Sequence, residues 1–195
     1  MEEMNMKKVI ALLLCAGLAL AMFGCGKSQS KVDAGTVYYA DIVIADYGTI
    51  TVKLDQSAAP ITVENFVNLA NSGFYDGLTF HRIMAGFMMQ GGQGATAPES
   101  IVGEFTSNGY ENPLEHTRGA ISMARTFEPD SATSQFFIVH EDSPHLNGDY
   151  ACFGYVTEGI EVVDAVCYAA QPSDNNGTIP ADQQPVITSI TIRTE

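Results

Sequence analysis

The run Phe80-His81-Arg82-Ile83-Met84-Ala85-Gly86-Phe87-Met88-Met89-Gln90-Gly91-Gly92 sets one guanidinium among aromatic and thioether side chains, with a glutamine and then glycines behind it. Such company is unusual for an arginine on a plain sheet strand. From residue types alone it reads as a cationic donor beside an apolar pocket, suited to an apolar ligand that carries an amide. The competing constellations are weaker. His81, His116, His140 and His145 show no HxxxH or HExxH spacing and no paired carboxylate nearby, so no metal site is expected. Gly91-Gly92-Gln93-Gly94 lacks the Lys-Ser/Thr and the following helix of a phosphate cradle. Ser134 with His140 lacks the G-x-S-x-G elbow of a hydrolase. Taken singly, Arg82 reads more readily as a surface or salt-bridged arginine, and each phenylalanine or methionine as core. Phe137, Ile138 and Phe153 are assigned to the core.

The elements that would position Arg82 follow from hydrophobic period and turn chemistry. Tyr38, Ala40, Ile42 and Ile44 alternate with Tyr39, Asp41, Val43 and Ala45; Asp46-Tyr47-Gly48 then turns the chain into Thr49–Leu54, which predicts a hairpin. Pro60 and Thr62 open a helix with Val63, Phe66, Val67 and Ala70 on one face, Thr62 as N-cap and Gly73 just past the end. Short strands are expected over 78–84, 87–90, 120–124, 135–140, 151–156 and 186–192, parted by turn-formers such as Asp76-Gly77 and Asn147-Gly148. A second helix is expected over 160–169, with Val162, Val163 and Val166 on one side. Eight short strands and two isolated helices predict a mainly β domain, a closed antiparallel eight-stranded β-barrel capped by the helices, because closure removes exposed sheet edges.

The bulk numbers agree with one globular domain carrying a tail. The chain has 195 residues, 46% hydrophobic and 16% charged, too apolar for disorder. Its formal net charge of -14 argues against a nucleic-acid partner or a polybasic membrane contact, both of which need clustered cations. Lys7 and Lys8 precede an uncharged apolar run from Val9 to Phe23, short for a membrane-spanning helix. The run ends at Met22-Phe23-Gly24-Cys25, which resembles a lipobox, where cleavage precedes a lipid-bearing cysteine. Residues 1–24 are therefore expected to be a lipoprotein signal peptide, 25–36 a polar tether, and 37–195 the folded domain. Lipid on Cys25 would anchor the protein to the outer face of a cell membrane. Of the remaining cysteines, Cys15 lies in the signal, while Cys152 and Cys167 sit in apolar contexts and are expected to be buried free thiols.

The segment from Phe80-His81-Arg82 to Gln90-Gly91-Gly92 is similar to the cyclophilin signature. Three later segments agree with it in order and spacing: Gly119–Arg125, Ser134-Gln135-Phe136-Phe137-Ile138, and His145-Leu146-Asn147-Gly148 followed by Phe153-Gly154-Tyr155-Val156. Together they span about 37–192. The resemblance implies a peptidyl-prolyl cis/trans isomerase in which Arg82 is the catalytic arginine. It implies that Phe87, Met88, Phe136 and Leu146 wall the proline pocket, with Tyr150 where many members have histidine. Gln90, Gln135, Ala124 and Arg125 match positions along the groove that hold substrate backbone. His145 stands where cyclosporin-sensitive members carry tryptophan, so tight cyclosporin binding is not expected. Arg125 replaces the asparagine of many eukaryotic members, which adds charge to the groove. No cofactor is implied; the partners are proline-containing segments of exported proteins, and the expected form is a monomer.

Two functions of different class fit this reading: an enzyme that rotates X-Pro bonds in exported proteins, and a binding module that holds such segments without important turnover. A solute-binding lipoprotein is a weaker third, because no second lobe is evident. Arg82, Phe87, Gln90 and Phe136 favour the enzyme, and an isomerase assay on a proline peptide discriminates.

Overall fold

The strand with the clearest two-residue period lies next to one edge of the sheet, between its hairpin partner and the last strand of the chain. A computed structural model describes Asp33 and residues 35–195. The segment expected to be a signal peptide, Cys25 of the expected lipobox and most of the expected tether lie outside those residues. In β1 (Tyr38–Ile44) every second side chain is buried, and β1 pairs on one side with β2 (Gly48–Leu54) and on the other with β8 (Ile187–Thr194). Asp46, at φ +66°, makes the tight turn between β1 and β2; aspartate tolerates that region better than bulkier residues.

The remaining strands are β3 (Phe80–Met84), β4 (Met88–Gly91), β5 (Ala120–Met123), β6 (Phe136–Val139) and β7 (Cys152–Glu158). All eight join one antiparallel sheet in the order β3-β4-β6-β5-β7-β2-β1-β8. The sheet curls into an open half-barrel, not the closed barrel expected from the sequence. Its two edges, β3 and β8, meet only near Thr79 and Val186, through an isolated bridge and backbone bonds such as Ile187 N–H to Leu78 O at 2.7 Å and Phe80 N–H to Pro185 O at 2.9 Å. Pro185 has no N–H to return, so the pairing stops there. Beyond that point the edge of β3 is covered by the 177–179 segment, with Ile83 N–H on Gly177 O at 2.8 Å and Ile179 N–H on His81 O at 2.9 Å. A covered edge needs no ladder to be protected.

Helix α1 (Pro60–Asn71) buries Val63, Phe66, Val67 and Ala70, as its period predicts. Phe66 packs 5.3–5.4 Å, centroid to centroid, from Tyr75, Phe136 and Phe153, at the centre of the main core. The N-cap differs from expectation. Ala59 is the cap, Pro60 occupies the first turn, and Thr62 is buried inside the helix without a capping bond. The free N–H groups of Ile61 and Thr62 go instead to the two carboxylate oxygens of the buried Glu104, at 3.0 and 2.7 Å. An acid at this end also suits the helix dipole. Helix α2 (Ile160–Ala169) buries Val162, Val163, Val166 and Cys167. Cys152 and Cys167 are both free and buried, and burial pushes their thiols up to about 11 and about 12. Among the described residues no helix is long and apolar enough to cross a membrane.

Candidate active site

A second, smaller apolar cluster, with Met88, Ala120, Phe137, Val139, Leu146 and Cys152 at its centre, lies apart from the main core. Its open side is the candidate functional surface. What turns Arg82 toward it is a register shift: Phe80 pairs with Gly91, but Arg82 pairs with Gln90, so His81 is an extra residue on β3. On an unbroken strand residues 80 and 82 would share a face. The bulge lets Phe80 enter the main core while Arg82 joins Met84 on the opposite side. Opposite them on β4, Met88 and Gln90 face the same way, and β6 supplies Phe137 across from Gln90.

These strands enclose a cavity of about 120 Å³. Arg82, Phe87, Met88 and Gln90 line it from β3, β4 and the turn between them; Ala124 and Arg125 enter from the end of β5; Phe137, Leu146 and Tyr150 complete the wall. Eight of the residues expected at the site, Arg82 and seven binding positions, therefore converge on one small cavity.

The guanidinium of Arg82 is held from several directions. Nε donates to Asn176 O at 2.8 Å, Nη1 to Gln90 Oε1 at 3.2 Å, and Nη2 approaches Met84 Sδ at 3.5 Å. Gln90 in turn donates through Nε2 to Gln135 Oε1 at 3.0 Å, so Gln135 acts at one remove, fixing which end of the Gln90 amide faces the arginine. The Phe87 ring lies 6.0 Å from the Arg82 guanidinium carbon. His145 is exposed on a 3₁₀ turn and its ring stands 5.4 Å from that of Phe87, at the rim and not in the lining.

Phe136 must be reassigned. It is fully buried in the main core, edge-on to Phe66, Tyr75 and Phe80, and the pocket wall is its neighbour Phe137. All four residues of β6 are buried, so no polar alternation marks which face looks at the cavity. His116 backs the Phe137 ring, stacked 18° from parallel at 6.0 Å. Its Nδ1 lies 3.0 Å from Asn147 Oδ1 and its Nε2 3.0 Å from Ser122 Oγ; the neutral ring donating to the amide oxygen and accepting the hydroxyl satisfies both. Burial holds this histidine below the ordinary imidazole range, opposed by the Asn147 bond and helped by His145. His140 is fully buried; its Nδ1 accepts from Gly86 N–H at 2.8 Å and its Nε2 lies 3.2 Å from Asp164, tying the β3–β4 turn to α2.

The cavity thus offers an apolar box with the Arg82 guanidinium fixed at one edge and Arg125 in its wall. It contains no nucleophile beside a base, which fits non-covalent work on a neutral group. The cyclophilin type peptidyl-prolyl cis-trans isomerase family matches residues 39–192. This chain belongs to that family. It is 43% identical over 149 residues to peptidyl-prolyl cis-trans isomerase A of Dickeya dadantii, covering 70% of this chain and 75% of that one. It is 48% identical over 123 residues to peptidyl-prolyl cis-trans isomerase B of Bacillus subtilis, covering 61% and 83%. Among solved structures, a cyclophilin type isomerase of Cryptosporidium parvum superposes with a TM-score of 0.71 at 28% identity, covering 82% of this chain and 99% of that one. The protein is accordingly an enzyme, a peptidyl-prolyl cis-trans isomerase, and proline-containing segments are its substrates. Residue types missed in the sequence are Phe137, His116 behind it, and the Asn176 carbonyl on Arg82. The last is a backbone group and leaves no sequence signal.

Proposed function

We propose that this isomerase rotates X-Pro bonds in exported proteins at the outer face of a cell membrane, with Arg82 stabilising the twisted amide. Resonance resists rotation of the peptide C–N bond by about 18–20 kcal/mol, and X-Pro bonds isomerise alone in tens to hundreds of seconds. At the top of the barrier the prolyl nitrogen becomes pyramidal and regains its lone pair. A guanidinium donor aimed at it bonds more strongly there than in the planar ground state, and that difference is what accelerates the reaction. The carrying observation is the cation held at the edge of an apolar cavity. Phe87, Met88, Phe137 and Leu146 form a box for the proline ring, and Gln90 and Asn176 hold the Arg82 side chain from opposite ends. The carbonyl before proline rotates while the ring stays gripped. No cofactor enters the step.

The decisive test is Arg82→Ala in a proline-peptide isomerisation assay. A charged hydrogen bond contributes about 1.5–3 kcal/mol, and each 1.36 kcal/mol is about tenfold in rate, so kcat/KM should fall about 10- to 150-fold. Wild-type activity in that variant would sink the mechanism. The location rests on the lipobox-like Gly24-Cys25 behind an apolar run. Cys25→Ser should abolish fatty-acid labelling and release the protein from membranes; unchanged membrane retention would refute lipid anchoring. The protein is taken to act as a monomer, and one sedimentation measurement decides that.

A further inference from the structure

The chain carries 23 acidic residues and nine lysines and arginines, so its arginines have abundant partners. Two take them: Arg118 pairs with Asp164 and Arg193 with Asp41. The other two, Arg82 and Arg125, form no ion pair among the described residues, and both line the same cavity. Arg82 has a role in the proposed chemistry. Arg125 has none.

Its geometry is that of a charge held in place and left open. Nε donates to Asp149 O at 2.9 Å, and Nη1 donates to Thr126 O at 2.9 Å and Phe127 O at 3.2 Å. The guanidinium carbon lies 4.7 Å from the centroid of Tyr150 and 5.0 Å from that of Phe105. Three of the five N–H donors are thereby used and the side chain is fixed on two rings; the two hydrogens on Nη2 have no acceptor among the described residues. Two acids of the neighbouring segments have other partners. Asp149 accepts from Ser107 Oγ at 2.7 Å, and Asp130 accepts from Gly103 N–H and Asn108 Nδ2 at 3.0 and 2.9 Å. Neutral carbonyls orient this cation without cancelling its charge.

We propose that Arg125 is a specificity-determining residue that selects X-Pro segments bearing a carboxylate side chain next to the proline. A proline ring seated in the cavity brings its flanking residues to the wall that Arg125 forms. A glutamate or aspartate there meets a pre-oriented donor pair with little further ordering, whereas a lysine meets a like charge. The inference rests on the cavity being the proline site. It adds the class of substrate to that reading.

The test is a set of proline peptides with Glu, Gln or Lys placed in turn at the positions immediately before and after proline. Wild type should favour Glu over Gln by about 3- to 10-fold in kcat/KM at one of these positions, the scale of a partly exposed ion pair with good geometry. That ratio should shrink between about 0.02 and about 0.5 M salt, as screening requires. Arg125→Gln should bring the Glu/Gln ratio to about one, and Arg125→Lys should keep part of it. A structural clamp on the 125–131 loop would instead lower all peptides together. A ratio near one in wild type at both positions, or one that survives in Arg125→Gln, overturns the proposal. If Arg125→Gln does not fold, the Arg125→Lys ratio and the wild-type salt dependence still decide. Failure of the underlying site looks different: Arg82→Ala would then turn over every peptide as fast as wild type does.

Discussion

Phe136 and Phe137 are adjacent, chemically identical and both buried, yet the structure gives them unrelated jobs, so a matched pair of substitutions tests the site sharply. Phe136→Leu perturbs the main core where Phe66, Tyr75 and Phe80 meet; Phe137→Leu perturbs the wall of the cavity beside Met88 and Leu146. Each loses part of a ring, so each should cost about 1–2 kcal/mol of stability, below the 3–5 kcal/mol of full Phe→Ala truncation. For a domain of this size that is a fall in Tm of about 2–8 °C. The catalytic effects should separate. Replacing the flat Phe137 ring removes about 40 Å² of apolar contact from a bound proline ring, about 1 kcal/mol at 25 cal/mol per Å², which is about fivefold in kcat/KM. Phe136→Leu, assayed well below its Tm, should stay within about twofold of wild type, since no transition-state contact is touched. Thermal unfolding gives the first number, and a protease-coupled or NMR exchange assay the second. If Phe136→Leu loses activity as Phe137→Leu does, or if Phe137→Leu keeps full activity, the assignment of the pocket wall to Phe137 is wrong.

Three further outcomes follow from particular contacts. Glu104→Ala strips the acceptor from two helix N–H groups and should destabilise the domain by about 1–3 kcal/mol, read as a urea midpoint, with an unchanged m-value. Burial keeps His116 below the ordinary imidazole range in the fold, and His81 likewise, through burial and then the Arg82 charge. The unfolded chain takes up protons at about pH 6.5 where the fold resists them, so stability should be intact above that pH and fall as pH drops through it; His116→Gln should flatten the slope. Cys152 and Cys167, with thiols pushed up to about 11 and about 12, should react with a thiol reagent only as fast as the domain opens, and at once in denaturant.

Much of the architecture is legible in residue patterns. All eight strands and both helices lie where hydrophobic period and turn residues put them, with ends shifted by a residue or two. Arg82, Phe87, Met88, Gln90, Ala124, Arg125, Leu146 and Tyr150 line the cavity because they sit in motifs whose order survives. What escaped has physical causes. A strand buried on both faces carries no alternation, so nothing in Phe136-Phe137-Ile138-Val139 says which ring looks outward. Thr62 has the composition of an N-cap, but Glu104, about 40 residues away, supplies both acceptors, and local patterns cannot see it. The open seam depends on Pro185 ending the pairing at one edge and on a loop covering the other, and edge avoidance alone had favoured closure.

The pairing of β1 with β8 has a consequence for assembly. Tyr38 faces Thr194 and Ile44 faces Ile187, so β1, next to the edge of the sheet, gains its second neighbour only when segments about 150 residues apart in sequence come together. Loop-closure entropy is lost before those contacts form, which places this domain among slow, high-contact-order folders. It also means that residues 38 and 194 lie side by side. A circular permutant that joins them through a short turn and opens the chain at the exposed 95–97 stretch would convert the longest-range ladder into a local hairpin, while leaving the residues around Arg82 contiguous.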